Sequence, residues 1–329
     1  MAKVGQIEYD PFGRPLGIVT IFRLFSDKSG NIANYKAVAP NFFNRDAKLW
    51  FKATDDSIWM RGCIERQNAA YEQNKSTIAK WHNEMRDFSW PQADIVFIVG
   101  PGPSLKKNAH QLRRIAGIEG VAIIGLNSVA KICPQDLTDF MTADALVPSD
   151  CFENLRESTR IWAGIQSNPA ICQKNPFWWV GEEKSPFYDP IKREFPNLPT
   201  LFTGLTISLS ALHLAKNMGA NTVVFVGHDA CWYDRRGMKT ERKIKDMRNL
   251  PCWTDEIYFY SAAHLMGAIY WMLVNKVRVI NATQRGLLCG SWRNPPVSLE
   301  QKRLFEVVDE VRASHGMAER KTEEIACSS

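Results

Sequence analysis

The stretch DIVFIVGPGPSL, Asp94–Leu105, decides the fold class of this chain. Ile95–Val99 is β-branched and aromatic and has no charge, which is typical of a strand buried on both faces of a parallel sheet. The strand leads into the turn Gly100–Ser104, and a helical pattern follows it. We therefore predict a strand, a tight turn and a helix in succession, a junction at which proteins bind phosphate.

The composition of this turn suits an anion. Gly100 and Gly102 have no Cβ to hold a ligand away and can adopt positive φ, while Pro101 and Pro103 stiffen the loop. Ser104 is placed to cap the helix, whose free N–H groups and positive dipole end would face a phosphate. The turn matches neither G-x-G-x-x-G nor the Walker pattern, which argues against a dehydrogenase or an ordinary NTPase. A tight turn without a ligand is the alternative.

Composition and charge restrict the other possibilities. With 329 residues, 45% of them hydrophobic and 23% charged, the chain has the make-up of a soluble globular protein of one large or two modest domains. The net charge of +6 suits phosphorylated ligands, but the chain lacks the dense basic stripes of a dedicated nucleic-acid binder. The eight cysteines include no C-x-x-C pair, so we expect reduced thiols in a cytoplasmic protein rather than zinc sites or disulfides.

No association with a membrane is expected. The first ten residues, MAKVGQIEYD, lack the apolar run of a secretory signal. The longest apolar run, Ile257–Val274, contains Ser261, His264 and Gly267, which favours a buried helix over a membrane span.

The sequence divides into three parts, with the first boundary near Trp90. Residues 1–90 form a smaller mixed α+β region without an assigned role, in which we predict a hairpin within Gly17–Val38 and a polar helix within Arg61–Arg86. Residues 91–295 form the main domain, and residues 296–329 a C-terminal helix and tail. The aromatic residues of the first part could form an interaction surface, although packing against the main domain is favoured. They are Trp50, Phe51, Trp59 and Trp81.

Strand-like and helix-like segments alternate through the main domain. The predicted strands are Asp94–Val99, Val121–Gly125, Asp139–Thr142, Arg160–Ile165, Phe177–Val180, Thr222–Gly227 and Val277–Asn281. The predicted helices are Leu205–Met218, Tyr258–Asn275 and Ser298–Ser314. This alternation predicts an α/β, Rossmann-like fold with a mostly parallel, doubly wound sheet.

Polar residues follow several of these strands. Asn127 follows the second strand, Asp144 the third and His228-Asp229 a later one, and Asn281-Ala282-Thr283 lies at the end of the last. Because ligands bind outside the carboxyl ends of such strands, we predict that these residues and the glycine turn border one cleft. Taken singly, Asn127 could be a turn former and Asp144 a helix cap.

Four elements of the main domain resemble, in order and spacing, the 6-hydroxymethylpterin diphosphokinase MptE-like family. They are GPGPSL, GLNSVAK, FTGLTISLSALHLAKNMGANTVVFVGHDACWYD and VINATQRGLLCG. The family includes flagellin-glycosylation accessory proteins of the motility-associated type, and its Gly-x-Gly-Pro-Ser-Leu turn is similar to one in bacterial CMP-sialic-acid-dependent sialyltransferases. The resemblance covers roughly Ala93–Gly290 and implies a Rossmann-like nucleotide-binding or transferase domain.

The resemblance also implies which residues bind the ligand. The phosphate turn of the family corresponds to Gly100, Gly102, Pro103 and Ser104, and its asparagine near the nucleotide corresponds to Asn127. The element before the long helix corresponds to Thr203 and Gly204. The next motif corresponds to Gly227-His228-Asp229, and the last motif to Asn281, Ala282 and Thr283. The chain departs from the family at three positions. Gln284 replaces an acidic residue, Arg285 replaces a glycine, and His228 replaces a glutamine, so the acid/base or metal roles of the last motif are not transferred.

Asp229 is the strongest candidate for chemistry. A carboxylate just past a buried strand and opposite the glycine turn could hold Mg²⁺ against a di- or triphosphate. The alternative is a carboxylate that caps the next segment or pairs with an arginine. His228 could act as a general base or bind phosphate, or it could be a buried, hydrogen-bonded side chain. We predict Asp229 and His228 as catalytic residues, with Asp229 as the ligand of a Mg²⁺ cofactor.

The strongest charge feature is the segment Arg235–Arg248, RRGMKTERKIKDMR. It follows Asp229 at a point where an insertion would overhang the cleft, so Arg235 and Arg236 could close over phosphates. Acidic residues interrupt the segment, so a solvated, partly helical excursion is the alternative, and a nucleic-acid surface is less favoured.

Three functions are consistent with these features. The first, which the resemblance implies, is Mg²⁺-dependent diphosphate transfer from ATP to a pterin-like alcohol. The second is glycosyl transfer from a nucleotide-activated sugar of the CMP-sialic-acid type to a small-molecule or glycan acceptor. The third is non-catalytic nucleotide binding, with residues 1–90 contacting a protein partner. In all three the expected ligand is a nucleotide, of ATP or CMP type, and neither a membrane nor a nucleic acid is an expected partner.

Overall fold

The computed structural model describes residues 7–9, 15–18, 25–26, 32–34, 58–85, 88–182, 187–203, 206–237, 241–246, 250–288 and 299–317. Gly204, Trp50 and Phe51, which the sequence singles out, lie outside these residues.

Two short strand pairs and a long helix make up the described part of the first 90 residues. The antiparallel pairs are β1 (Ile7–Tyr9) with β2 (Pro15–Ile18), and β3 (Phe25–Ser26) with β4 (Ile32–Asn34). The second pair confirms the predicted hairpin, and the helix α1 (Ile58–Glu84) confirms the predicted polar helix.

Helix α1 packs against the main domain. Tyr71 and Ile78 are buried in the main hydrophobic core. The side-chain amide of Asn74 donates to the carbonyl oxygens of Ile165 (3.1 Å) and Ser167 (2.8 Å). Trp81 also packs against this core, which confirms the predicted packing role for that aromatic side chain.

The structure contains a nine-stranded sheet in which every pairing is parallel, and its last strand lies beyond residue 295. The first seven of its strands in chain order are β5 (Ile95–Val99), β6 (Val121–Leu126), β7 (Asp139–Thr142), β8 (Arg160–Gly164), β9 (Phe177–Gly181), β10 (Thr200–Leu201) and β11 (Thr222–Val226). An antiparallel hairpin of β12 (Arg242–Lys245) and β13 (Pro251–Thr254) follows, and β14 (Arg278–Asn281) and β15 (Glu300–Gln301) complete the sheet. All seven predicted strands are confirmed.

Helices cover both faces of the sheet, as expected for strands such as β5 and β11 that are apolar and buried along nearly their whole length. The helices after α1 are α2 (Leu105–Asn108), α3 (Tyr188–Glu194), α4 (Ile207–Asn217), α5 (Glu256–Val274) and α6 (Leu304–Ser314). Short 3₁₀ helices span Ala109–Arg114, Asn127–Lys131, Pro134–Asp136, Ser149–Cys151 and Pro169–Lys174. Within the part of the chain that the structure describes, every helix is too short or too polar to cross a lipid bilayer.

One helix prediction was partly wrong. The pattern at Ser298–Ser314 predicted a helix over its whole length, but Glu300–Gln301 forms the edge strand β15 and the helix begins only at Leu304. A segment of two polar residues is too short to show the periodicity of a strand or a helix. Its pairing with β14 in the folded protein determines its conformation.

The strand order shows where the chain reverses the direction in which it adds strands to the sheet. It runs β10-β9-β8-β7-β6-β5-β11-β14-β15. The crossover from β5 to β6 contributes Leu105 and Leu112 to one face of the sheet, whereas α4 contributes Leu209 and Leu212 to the other on the way to β11. The chain therefore winds in opposite directions from β5 and β11, and the gap between their carboxyl ends is the topological switch point of the sheet.

Candidate functional site

Backbone hydrogen bonds join the glycine turn after β5 to the loop after β11. The N–H of Gly100 donates to the carbonyl oxygen of Val226 (2.8 Å), and the N–H of Gly102 donates to that of Gly227 (2.9 Å). Each of these glycines is followed by a proline, Pro101 or Pro103, which has no backbone N–H. The glycine amides are therefore already bonded to protein.

Ser104 is bonded to Asp229. Its N–H (3.2 Å) and its hydroxyl (2.7 Å) both donate to Oδ2 of that carboxylate. The prediction that Ser104 caps the helix was wrong, since its side chain accepts no hydrogen bond from α2. The carboxylate of Asp229 thus occupies the position in front of the turn at which an anion was expected.

The glycines of the turn are required by close packing against the protein itself. A Cβ on Gly102 would lie 2.5 Å from the carbonyl oxygen of Gly227 and closer still to Oδ2 of Asp229. A Cβ on Gly100 would lie 2.8 Å from the same carbonyl oxygen. Neither residue adopts positive φ, contrary to expectation, whereas Gly227 does, at 67°. Sequence alone does not distinguish a glycine that admits a ligand from one that admits a neighbouring loop.

Asp229 is fully buried and holds three loops together. Besides the two bonds from Ser104, its Oδ1 accepts a hydrogen bond from the hydroxyl of Tyr233. Its carbonyl oxygen accepts from the N–H of Leu287 in the loop after β14 (2.9 Å). Burial raises the pKa of Asp229 above its usual value, and the hydrogen bonds from Tyr233 and Ser104 offset part of that rise.

These contacts bear on the predicted Mg²⁺ ligand. Mg²⁺ takes six oxygen ligands in near-ideal octahedral geometry. Both carboxylate oxygens of Asp229 already accept hydrogen bonds, and the described residues contain no group of three or more His, Cys, Asp or Glu side chains placed to hold a metal ion. The described residues therefore do not form a complete Mg²⁺ centre by themselves, and Asp229 as a ligand of a phosphate-bound Mg²⁺ ion stays a prediction; no chemical step is derived through the ion.

His228 is buried beside Asp229. Its backbone N–H donates to Oγ1 of Thr283 (3.1 Å), and its ring nitrogen Nδ1 lies 3.0 Å from the carbonyl oxygen of Val226. Its Nε2 lies 3.0 Å from Oγ of Ser208, on helix α4. Burial lowers the pKa of His228 to about 4, although the bond to Val226 acts in the opposite direction. The imidazole is therefore neutral at physiological pH and has hydrogen-bond partners on both nitrogens.

The predicted residues after β14 stabilise their own loop. Oδ1 of Asn281 accepts from the N–H of Thr283 (3.1 Å), and the side-chain amide of Asn281 donates to Oε1 of Gln301 (3.0 Å). Thr283 in turn accepts from His228, so the ends of β11 and β14 are joined. The structure thus brings the glycine turn, His228-Asp229 and Asn281–Thr283 together at the switch point.

Asn127 has an uncommitted polar atom at the carboxyl end of β6. Its backbone is left-handed, with φ of 48°, and its buried Oδ1 has no hydrogen-bond partner among the described residues. At the end of the neighbouring strand β7, Oγ1 of Thr142 is also buried and without a partner there. Unpartnered buried polar atoms are uncommon in native proteins, and both oxygens can take a hydrogen bond from a molecule that binds at this edge of the sheet.

Two further predicted residues differ in their surroundings. Asp144 is exposed, and its Oδ1 accepts from the N–H of Leu146 (2.8 Å), so it stabilises a turn rather than a helix. Thr203 is half-buried after β10, next to the start of helix α4.

The basic segment after Asp229 forms part of a hairpin rather than a helix. Nε of the exposed Arg235 donates to buried Glu241 (3.0 Å), which also accepts from the N–H of Arg236 (3.1 Å). The guanidinium of Arg236 lies 4.7 Å from the ring centroid of Trp232. Both arginines are exposed in the segment that precedes the hairpin β12–β13, and the guanidinium of Arg235 lies 5.3 Å from the ring centroid of Trp253 on β13.

Sequence reasoning missed Tyr233, Thr142 and Ser208. Tyr233 lies four residues after Asp229, a spacing that could have suggested a contact within one loop. Thr142 is the last residue of a predicted strand, at the edge where ligands bind. Ser208 was hidden in an apolar helical pattern, and no local feature of the sequence distinguishes it from Ser210.

The sequence and the fold of this chain are similar to those of known proteins. No curated protein sequence matches the chain significantly. Among solved structures, the chain is similar to a MAf glycosyltransferase from Magnetospirillum magneticum AMB-1, with 14% sequence identity and a TM-score of 0.49. The similarity covers 71% of this chain and 38% of the length of that protein. The family model described as 6-hydroxymethylpterin diphosphokinase MptE-like matches residues 66–235, just over half of the chain, and the chain therefore belongs to the MptE-like family.

Proposed function

We propose that the protein is a transferase that binds the phosphates of a nucleotide-type ligand at the switch point between β5 and β11. The observation that carries the proposal is the position of the glycine turn, His228-Asp229 and Asn281–Thr283 together at the carboxyl ends of β5, β11 and β14. In doubly wound sheets the ligand binds in the crevice at this point. Membership of a family named for a diphosphokinase supports a group-transfer reaction.

The preferred reaction is diphosphate transfer from ATP to a pterin-like alcohol. The hydroxyl of the acceptor attacks the β-phosphorus, and AMP leaves. His228 is neutral and takes the proton of that hydroxyl. Arg235 and Arg236 supply positive charge to the phosphates from the segment that precedes the hairpin. Asn127 and Thr142 offer hydrogen bonds to the polar groups of the nucleotide, since their side-chain oxygens are uncommitted.

Glycosyl transfer from a CMP-type sugar nucleotide is the second candidate. It is favoured by the Gly-x-Gly-Pro-Ser-Leu turn and by the unpartnered Oδ1 of Asn127, the residue that the sialyltransferase resemblance places near the nucleotide. Both reactions use a nucleotide at one site and an alcohol as the acceptor. They differ in the atom attacked, which is phosphorus in the first and the anomeric carbon in the second.

A thermal-shift panel tests the common part of the proposal. The ligands are ATP, GTP, CMP and a CMP-sugar, each with and without Mg²⁺. A ligand at about 100 times its Kd stabilises the native state by about 2.7 kcal/mol. Unfolding entropy of about 2.1 cal/mol/K per residue gives about 0.7 kcal/mol/K for the 329 residues, so the expected rise in Tm is about 4 °C.

Turnover assays then separate the candidates. Release of AMP from ATP in the presence of a reduced hydroxymethylpterin supports the first, and release of CMP from the CMP-sugar supports the second. Binding without turnover would assign the protein to non-catalytic nucleotide binding. If none of the nucleotides raises the Tm, the proposal is wrong. The Mg²⁺ dependence predicted from the sequence is tested by the same panel.

A further inference from the structure

Three side chains form a hydrogen-bonded chain that begins at the start of helix α4 and ends at His228. Oγ1 of Thr206 donates to Oγ of Ser208 (3.2 Å). Oγ of Ser208 lies 3.0 Å from Nε2 of His228, and Nδ1 of His228 lies 3.0 Å from the carbonyl oxygen of Val226. Ser208 and His228 are buried, whereas Thr206 is half-buried.

The partners of His228 determine the direction of these bonds. A carbonyl oxygen can only accept, so Nδ1 must carry the proton that is donated to Val226. Nε2 of the neutral imidazole then has a lone pair, and the hydroxyl of Ser208 donates to it. Since Ser208 has donated its only proton, its oxygen accepts from Thr206. Every hydroxyl proton in the chain therefore points inward, towards His228.

Thr206, the residue at the outer end of this hydrogen-bonded chain, can accept one more hydrogen bond. A hydroxyl oxygen has two lone pairs, and the first lone pair of Thr206 accepts the N–H of Ser208 (3.3 Å). Among the described residues no donor uses the second. Thr206 caps the first turn of α4, directly after the loop that follows β10, at the edge of the sheet that carries the proposed site. A hydroxyl group outside the protein can donate a hydrogen bond there.

We propose that Thr206 and Ser208 relay the proton of the acceptor's hydroxyl to His228 during group transfer. The inference rests on the proposed transferase function. The O–H bond of the acceptor breaks as its oxygen bonds to the phosphorus of the donor, and the leaving phosphate oxygen departs with its electron pair. The acceptor's proton passes to Thr206, the proton of Thr206 to Ser208, and that of Ser208 to Nε2 of His228. An imidazolium results.

The chemistry of His228 is consistent with this step. Because Nδ1 donates to the carbonyl oxygen of Val226, the lone pair of Nε2 is available to accept the proton from Ser208. Once the product has left, the imidazolium returns the proton through Ser208 and Thr206 to solvent water, which takes the place of the acceptor's hydroxyl at Thr206. The protein is then restored to its original hydrogen-bonding pattern without a separate proton channel.

The test compares two serines on one helix. Ser208→Ala removes the middle of the relay. Ser210→Ala is the matched control, because Ser210 is equally buried and donates a hydrogen bond to the carbonyl oxygen of Phe202 rather than to a histidine. Each variant loses one buried serine hydrogen bond of α4. Turnover and nucleotide Kd are measured for the parent and both variants with ATP and the reduced hydroxymethylpterin, or with the CMP-sugar if that is the donor.

Loss of the relay should lower kcat about 10²-fold in Ser208→Ala, because general base catalysis contributes 10²–10⁴-fold, while the Kd for the nucleotide stays within about twofold. Ser208→Thr, which keeps a hydroxyl, should recover most of the rate, and Ser210→Ala should resemble the parent. Equal kcat in Ser208→Ala and Ser210→Ala would overturn the relay. No turnover by the parent with any donor is a different result, since it refutes the transferase function itself.

A second measurement needs no substrate. Long-range ¹H–¹⁵N NMR of the free protein distinguishes the two neutral tautomers of His228. The relay requires a protonated Nδ1 and an unprotonated Nε2, in the parent and in Ser210→Ala. The reverse tautomer would overturn the proposal even if Ser208→Ala were inactive, because Ser208 could then not donate to the ring.

Discussion

Replacing Asn127 with glycine should raise the stability of the free protein against unfolding and lower its affinity for the ligand. Asn127 is left-handed, with φ of 48°, and its buried Oδ1 lacks a partner among the described residues. The chain offers a matched control, since Asn175 has φ of 47° but an exposed side chain. Asn127→Gly and Asn175→Gly therefore change the backbone in the same way and differ mainly in the polar atom removed.

The magnitude follows from this difference. Glycine relieves left-handed strain at both positions and costs roughly 0.5–1 kcal/mol of backbone entropy at both. Only Asn127→Gly also removes an unsatisfied buried acceptor, whose desolvation costs about 1–3 kcal/mol. At about 0.7 kcal/mol/K for 329 residues, an advantage of 2 kcal/mol raises the Tm by about 3 °C relative to Asn175→Gly.

Binding should change in the opposite direction. If Oδ1 of Asn127 accepts a hydrogen bond from the nucleotide, its loss removes about 0.5–1.5 kcal/mol, or roughly a 2- to 12-fold increase in Kd. Calorimetric unfolding and nucleotide titration of the two variants provide both numbers. The reasoning is refuted if Asn127→Gly is less stable than Asn175→Gly and binds the nucleotide as well as the parent does.

Three other variants test the remaining contacts. Burial raises the pKa of Asp229 from 3.8, so the native state binds this proton more tightly than the unfolded chain and loses stability as pH rises towards the native pKa. The Tm of Asp229→Asn relative to the parent should therefore increase between pH 4 and pH 7, and a decrease would contradict the assignment. Gly102→Ala should lose about 1–3 kcal/mol or more in denaturant unfolding, because its Cβ overlaps the loop after β11; parent-like stability would mean that the loops separate easily. Neutralising Arg235 and Arg236 with glutamine should weaken ATP binding more than AMP binding, and less so at high salt, whereas equal loss for both nucleotides would exclude contact with the outer phosphates.

The sheet could be predicted from the sequence because its signal is local. Buried parallel strands are short β-branched runs between turn residues, and Ile95–Val99 and Thr222–Val226 are examples. The positions of Asn127 and Asp229 at the carboxyl ends of strands follow from the same pattern. The two-residue strand Glu300–Gln301 has no such signal, and only its neighbour defines it.

The interior of the site could not be predicted in this way. The contact between Ser104 and Asp229 joins residues 125 positions apart, and either side chain has a local alternative as a helix cap. A glycine-rich turn shows that something approaches the backbone closely, but not whether that neighbour is a phosphate or a carbonyl group. Here the carbonyl oxygen of Gly227 and the carboxylate of Asp229 lie against Gly102.

Asp229 also connects the turn to the basic hairpin. Its Oδ1 is held by Tyr233, whose ring lies 3.7 Å from the guanidinium of Arg285. Nε of Arg285 donates to Asp246, a buried residue between β12 and β13 (2.7 Å). A displacement of the hairpin therefore moves the arginine that packs on Tyr233 and, through it, the donor that stabilises the carboxylate.

This connection matters because a phosphate that approaches the turn meets the charge of Asp229 first. Two changes would reduce that repulsion: protonation of the carboxylate, which its burial favours, and the approach of positive charge from Arg235 and Arg236, of which Arg235 packs against Trp253 of the hairpin. The second change involves the same hairpin that holds Arg285 and thereby Tyr233. If the turn binds phosphate as proposed, the position of the hairpin and the phosphate affinity are coupled, so substitutions at Arg285 should alter that affinity although Arg285 is already paired with Asp246.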